Sequence, residues 1–234
     1  MNFLINVGPA TIAIVVAIIM SVYLWNRSKQ ISSFFLIWIT IATFISQIHI
    51  FLGFPQWLSH DWLGFTLFGF LTFTPAALLL FFTFKRNQVK IVIDGIPTAD
   101  IILTQSYRIA GIFLLFAFVR GELPLEIGLM TGILDCVVAF SAVMIGAYLR
   151  YTKKNNSRII LPWAILGLLD FGWAILALTL SFLGLWNLTP APVMMGNPPL
   201  LIISLFNLPL GIFVSVYLIL RTLKHIINTR QKGE

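Results

Sequence analysis

Arg108, Asp135 and Asp170 are the residues whose chemistry demands an explanation. Each lies inside a long apolar stretch, where a charged side chain costs about 2.5–3.5 kcal/mol on insertion scales. Counted from the ends of their stretches, all three fall near half depth, so they can meet in one layer. A guanidinium and two carboxyls in one layer can hold an anion, carry a proton or simply lock helices together. Their charges do not balance. If Arg108 pairs with one aspartate, the other is a buried carboxyl without a cation, able to hold a proton.

The helical neighbours of these residues are small or polar. Around Asp135, positions three, four and seven away include Gly128, Thr131, Gly132, Ala139 and Ala142. Around Asp170 lie Gly167, Trp173, Ala174 and Ala177, and around Arg108 lie Thr104, Gln105 and Gly111. Small residues let helices approach closely in lipid. Further polar groups recur at helical spacing: Thr40, Thr43 and Gln47, with His49 nearer one end, then Ser204, Asn207, Gly211 and Ser215. Gln105, Thr43, Gln47 and Asn207 are the candidate lining groups of a midplane site. Pro209 removes a backbone donor and should kink its helix. His49 has no second His or Cys at ligand spacing, so no metal site is expected. Cys136 is the single cysteine and reads as packing.

A short pattern repeats. Residues 132–142, GILDCVVAFSA, and 167–177, GLLDFGWAILA, share G-x-L-D-x-x-x-A-x-x-A. The two copies fall in consecutive stretches and so run in opposite directions. Inverted repeats are common in transporters, with sites at the repeat interface. Gly, Ala and Leu also match readily in any two membrane helices, and only the shared Asp is uncommon there.

The elements that must position these residues follow from composition. Hydrophobic residues make up 59% of the 234, charged residues 10%, and mean hydropathy is +0.97. A soluble domain carries about 25% charged residues, so a soluble enzyme, a disordered chain and a fibre are excluded. Seven apolar stretches are each long enough to span a bilayer as a helix. They cover about 4–25, 31–53, 62–84, 98–120, 124–149, 159–185 and 198–223. The expected fold is an all-α integral membrane protein, a single seven-helix domain over 1–225 with a short cytoplasmic tail, 226–234.

Basic residues give the direction. Arg27, Lys29, Lys85, Arg86, Lys90, Arg150, Lys153, Lys154, Arg158, Arg221, Lys224, Arg230 and Lys232 all fall on one side, thirteen of the fifteen Lys and Arg. Arg120 lies at the other end. The positive-inside rule then places the N-terminus outside and the C-terminus in the cytoplasm. This placement accounts for the net charge of +7 and the pI near 9.9 without nucleic acid. Residues 1–8 carry no charged side chain, unlike the basic start of a signal peptide, so the first stretch reads as a retained helix. Trp25, Tyr23, Tyr148, Tyr151 and Tyr217 suit the inner interface, and Trp57, Trp62 and Trp186 the outer one. Residues 85–97, KRNQVKIVIDGIP, read as a surface segment, a small hairpin or a plain loop. The first stretch is the least polar and is expected at the periphery.

Gln105, Tyr107, Arg108 and Gly111, followed by Gly121, Leu123, Pro124 and the small-residue run to Asp135, resemble a family of bacterial multi-spanning membrane proteins of unassigned activity. Its pattern is roughly Q-x-[FY]-R-x-x-G-x-x-F-L, then G-x-L-P, then a stretch ending in G-D. Trp163, Gly167, Asp170 and Ala174 fit its W-x-x-x-G-x-x-D-x-x-x-A, and residues 198–213 its Pro-flanked last helix. The resemblance spans about 100–225. Leu134 stands where that pattern has Gly. The resemblance implies a seven-helix fold and points to Arg108, Asp135 and Asp170; it supplies no reaction.

Other seven-span classes fit less well. No lysine precedes Lys224 in the last stretch, so no retinal, and no other cofactor, is expected. Residues 81–87, FFTFKRN, lack the Asp-Arg-Tyr motif of a G-protein-coupled receptor. There is no H-E-x-x-H, G-x-S-x-G or aspartate-rich metal motif to suggest an enzyme. The favoured reading is a small-molecule or proton-coupled carrier in a bacterial cytoplasmic membrane. The alternatives are a receptor-like or accessory binding protein, an intramembrane enzyme and an assembly role. The expected partners are the lipid bilayer, a small-molecule ligand and further copies of the chain.

Overall fold

Inside hydrocarbon every backbone N–H and C=O needs a partner in its own segment, so apolar stretches fold as helices. The computed structural model describes residues 2–52 and 62–231; the side chains of 2–6, 47–52, 229 and 230 are not described. Of the residues singled out above, Trp57 and Lys232, with the side chains of Gln47, His49 and Arg230, lie outside the described residues. The described helices are α1 (Asn2–Trp25), α2 (Lys29–Leu52), α3 (Trp62–Lys85), α4 (Asn87–Asp94), α5 (Thr98–Thr104), α6 (Gly111–Val119), α7 (Gly132–Thr152), α8 (Ser157–Phe182) and α9 (Leu208–Gln231).

They supply seven spans long and apolar enough to cross a membrane. The fold is all-α and faces its apolar side chains outward: Phe140 is 65% exposed, Met144 73% and Leu169 64%. Such a surface needs lipid around it. The α9 span lies at the centre, 78% buried, and packs against α8 and α3. The first span is 28% buried and pairs with α2. The third is more peripheral still, at 22%.

Three spans depart from the continuous helices expected. The fourth breaks between α5 and α6 into a tight 3₁₀ segment, Gln105–Ala110. The fifth starts with a wide π turn, Glu126–Thr131, and the seventh with another, Ile203–Asn207. Pro209 explains part of the last break. It has no N–H for the Leu205 carbonyl four residues earlier. The Trp38 indole Nε1 donates to that carbonyl instead, at 3.0 Å. Helix α9 continues to Gln231, beyond the expected end near 223.

The basic ends of the spans meet at one face of the bundle. Tyr23 and Arg150 both donate to the Asp100 carboxylate, each at 2.7 Å. Arg27 donates to the Gly95 carbonyl at 3.2 Å, and Arg221 to the Ile96 carbonyl at 2.9 Å. At the opposite face Trp62 packs edge-on against Phe182. Within the segment 85–97, Asn87–Asp94 form the short helix α4 rather than a hairpin, with Ile93 buried and Ile91 72% exposed. Tyr217 is corrected as an interfacial anchor. It is buried, and its hydroxyl donates to Asp94 at 2.7 Å. Trp25, Trp62, Tyr148 and Tyr151 are exposed, as anchors should be.

Close approach of α6 and α7 depends on Gly111. A Cβ there would overlap the Asp135 Cβ and stand 3.0 Å from the Gly132 carbonyl. Gly111→Ala should therefore cost about 1–3 kcal/mol through overpacking. Gly172 has no heavy atom near its missing Cβ, so Gly172→Ala should change little. Thermal unfolding of both variants in detergent micelles checks this; equal behaviour would refute the tight contact.

Candidate functional site: a buried arginine clasp

The 3₁₀ segment carries Arg108 into the bundle, where it is 1% exposed. Its Nε donates to Asp135 Oδ1 at 2.6 Å. Its Nη2 donates to Asp170 Oδ2, and its Nη1 to the Gly167 carbonyl at 3.2 Å. The guanidinium lies over the Phe171 ring, 4.0 Å from its centroid, an arrangement that adds cation–π attraction. The expectation of one paired and one cation-free aspartate is corrected. The planar fork of an arginine presents several donors at fixed angles, and here neighbouring donors reach different helices.

The sequence repeat has a structural counterpart. Asp135 and Asp170 stand at equivalent places in the two copies, on α7 and α8, and both bind the same cation. Small residues make room for this. A Cβ on Gly167 would lie 3.0 Å from Arg108 Nη1. A Cβ on Gly211 would overlap the Phe171 ring. The two carboxyl groups meet on neighbouring nitrogens of one guanidinium. Asp170 Oδ1 is buried and has no hydrogen-bond partner.

The remaining candidates divide. Gln105 and Asn207 are buried, and their amide groups find no well-aligned partner. Tyr107 links their two segments, donating from its hydroxyl to the Asn207 carbonyl at 2.6 Å. Thr43 sits on α2 with its buried Oγ1 unpaired and no hydrogen bond to the clasp. The Gln47 side chain lies outside the described residues. Residue spacing did not single out Tyr107, Phe171 or Trp38. The only signal for Tyr107 was the aromatic position of the Gln105-x-Tyr107-Arg108 motif; Phe171 and Trp38 carried none.

A cavity of about 260 Å³ enters from the basic end and reaches Ser106 but not Arg108. The clasp itself is closed. Among the described residues no three His, Cys, Asp or Glu side chains gather as metal ligands. One guanidinium against two carboxylates leaves one negative charge uncancelled, which a single proton or cation would neutralise.

These features define a polytopic helical membrane protein with an ionic cluster buried between its spans. Residues 65–223 match the family described as Domain of unknown function (DUF8737). The chain belongs to that family, and the match takes in all three clasp residues, Gln105 and Asn207. Trp38 and Thr43 precede it. No curated protein and no solved structure matches the chain.

Removing one partner of a buried ion pair costs about 3–5 kcal/mol, whereas replacing all partners with apolar groups can be neutral. Arg108→Met alone should therefore unfold the protein in mild detergent or lower its melting temperature strongly. The triple change Arg108→Met, Asp135→Leu, Asp170→Leu should recover much of that loss. Melting curves of the two variants decide: equal destabilisation would show that the side-chain shapes, not their charges, hold the site.

Proposed function

We propose that the protein is a small-molecule carrier that couples to protons through Arg108, Asp135 and Asp170. The carrying observation is two buried carboxyl groups on one guanidinium, with Asp170 Oδ1 left without a hydrogen-bond partner. One guanidinium against two carboxylates leaves one negative charge, and a proton on one carboxyl group would cancel it. Proton-bearing acids of this kind mark transport pathways in membranes. Interrupted helices support the reading, since transporter sites are built where spans unwind. The 3₁₀ break carries Gln105 and Arg108, and the π turn before α9 carries Asn207. The free amides of Gln105 and Asn207 would face the cargo, with Thr43 and Gln47 as further lining groups.

In this reading the seven-span domain sits in a cytoplasmic membrane with its N-terminus outside and residues 226–234 in the cytoplasm. Reporter fusions at each end test the orientation: the C-terminal fusion should be active only in the cytoplasm, and an extracellular signal there would reverse it.

Infrared spectroscopy in lipid tests the proton. Wild type should show one protonated-carboxyl band at neutral pH. Asp170→Asn should remove it, and Asp135→Asn should move or remove it. If no such band appears at any pH where the protein stays folded, both carboxyls are locked as ions. The clasp is then a structural fastening and the carrier reading fails.

A further inference from the structure

The cavity that stops at Ser106 has a different character from the clasp. Its wall is apolar, formed among others by Leu24, Phe35, Leu79, Ile96, Leu103 and Val214. Its mouth is polar, with Tyr23, Asp100 and Arg150 at the basic end of the bundle. A void of this kind deprives its wall of dispersion contacts unless something fills it. Its volume of about 260 Å³ lies near the lower edge of ligand pockets, about 300–1,000 Å³. That suits one hydrocarbon chain and is too small for a two-chain lipid.

Charge at the mouth selects the head group. Arg150 pairs with Asp100 at 2.7 Å and keeps an exposed side chain. Arg27 lies over the Tyr23 ring, 4.7 Å from its centroid, and Arg221 lies 5.9 Å from the Tyr217 centroid. Both rings line the cavity. The hydrogen bonds of Arg27 and Arg221 go to backbone carbonyls of residues 94–96, which cancel no charge. Asp94 accepts from Tyr217. Three guanidiniums therefore face two carboxylates, leaving a positive mouth above an apolar shaft. Basic pockets between membrane helices attract anionic lipid head groups by this arrangement.

We propose that the cavity binds a single-chain anionic amphiphile, with its chain between Leu103 and Val214 and its head among Arg27, Arg150 and Arg221. The site is separate from the clasp and holds whether or not the protein transports. A free fatty acid and a lysophospholipid share the required chemistry.

Binding of oleate, lysophosphatidylglycerol and lysophosphatidylcholine to the whole protein in phosphatidylcholine nanodiscs tests this, read by native mass spectrometry. At least one of the two anionic probes should bind about tenfold or more tighter than the zwitterionic one, a difference of about 1.4 kcal/mol. Tight oleate alone would identify fatty acid as the source; tight lysophosphatidylglycerol alone would identify phospholipid. The double change Arg27→Gln, Arg150→Gln should erase the preference, and Val214→Trp should abolish binding. Equal or absent binding of all three probes overturns the proposal, as does unchanged binding to a folded Val214→Trp protein. A diazirine-bearing fatty acid gives a second measurement on the unaltered chain. Its label should fall on residues 103–106 and 213–217; a label confined to lipid-facing Phe140 and Met144 would refute the site.

Discussion

Arg108 keeps its charge under all ordinary conditions, and the fold buries that charge in a layer where water does not replace lost hydration. The surrounding helices have to supply what water would have given. Asp135 and Asp170 supply charge, Gly167 supplies a carbonyl and Phe171 supplies an electron-rich face. Each contribution fixes a helix. Asp135 sets how α7 is turned, Asp170 and Gly167 set α8, and Gly111 has to be without a side chain so that the backbone before it can come so near. The packing of the second half of the bundle follows from finding partners for one cation.

The interruptions of regular helix belong to the same accounting of partners. Each break frees backbone groups that lipid cannot satisfy. At the seventh span the freed Leu205 carbonyl is met by Trp38, which ties α2 to the centre of the bundle. The Asn207 carbonyl is met by Tyr107, which ties the broken fourth span to the broken seventh. The unwound segments thus hold each other. Left over are the side-chain amides of Gln105 and Asn207, buried without a hydrogen-bond partner.

Periodicity and length made the spans legible, and the alternation of basic loops made their relative direction legible. The contacts of Tyr23, Arg27, Arg150 and Arg221 place those ends on one face. Three intramembrane charges also announced themselves, because burial of a charge is too costly to be incidental. The double pairing of Arg108 was not legible. It depends on where a guanidinium fork points after the chain has left α-helical geometry, and apolar composition carries no mark of a 3₁₀ or π turn. Tyr217 misled for a related reason. A tyrosine near a basic helix end resembles an interfacial anchor, and only the position of Asp94 on the neighbouring short helix turns it inward.

The 3₁₀ segment joins the two halves of the polar interior. A 3₁₀ turn advances one third of a revolution per residue, so three consecutive side chains point three ways. Ser106 points into the apolar cavity, Tyr107 to the wide turn before α9, and Arg108 to the two aspartates. An α-helix in the same place would turn these side chains through 100° steps, moving the direction of Arg108 relative to Ser106 by about 40°. The break in the fourth span is therefore the element on which cavity, central helix and ionic clasp all bear. The residues that touch the three lie side by side in one six-residue segment, Gln105–Ala110, with no other element between them.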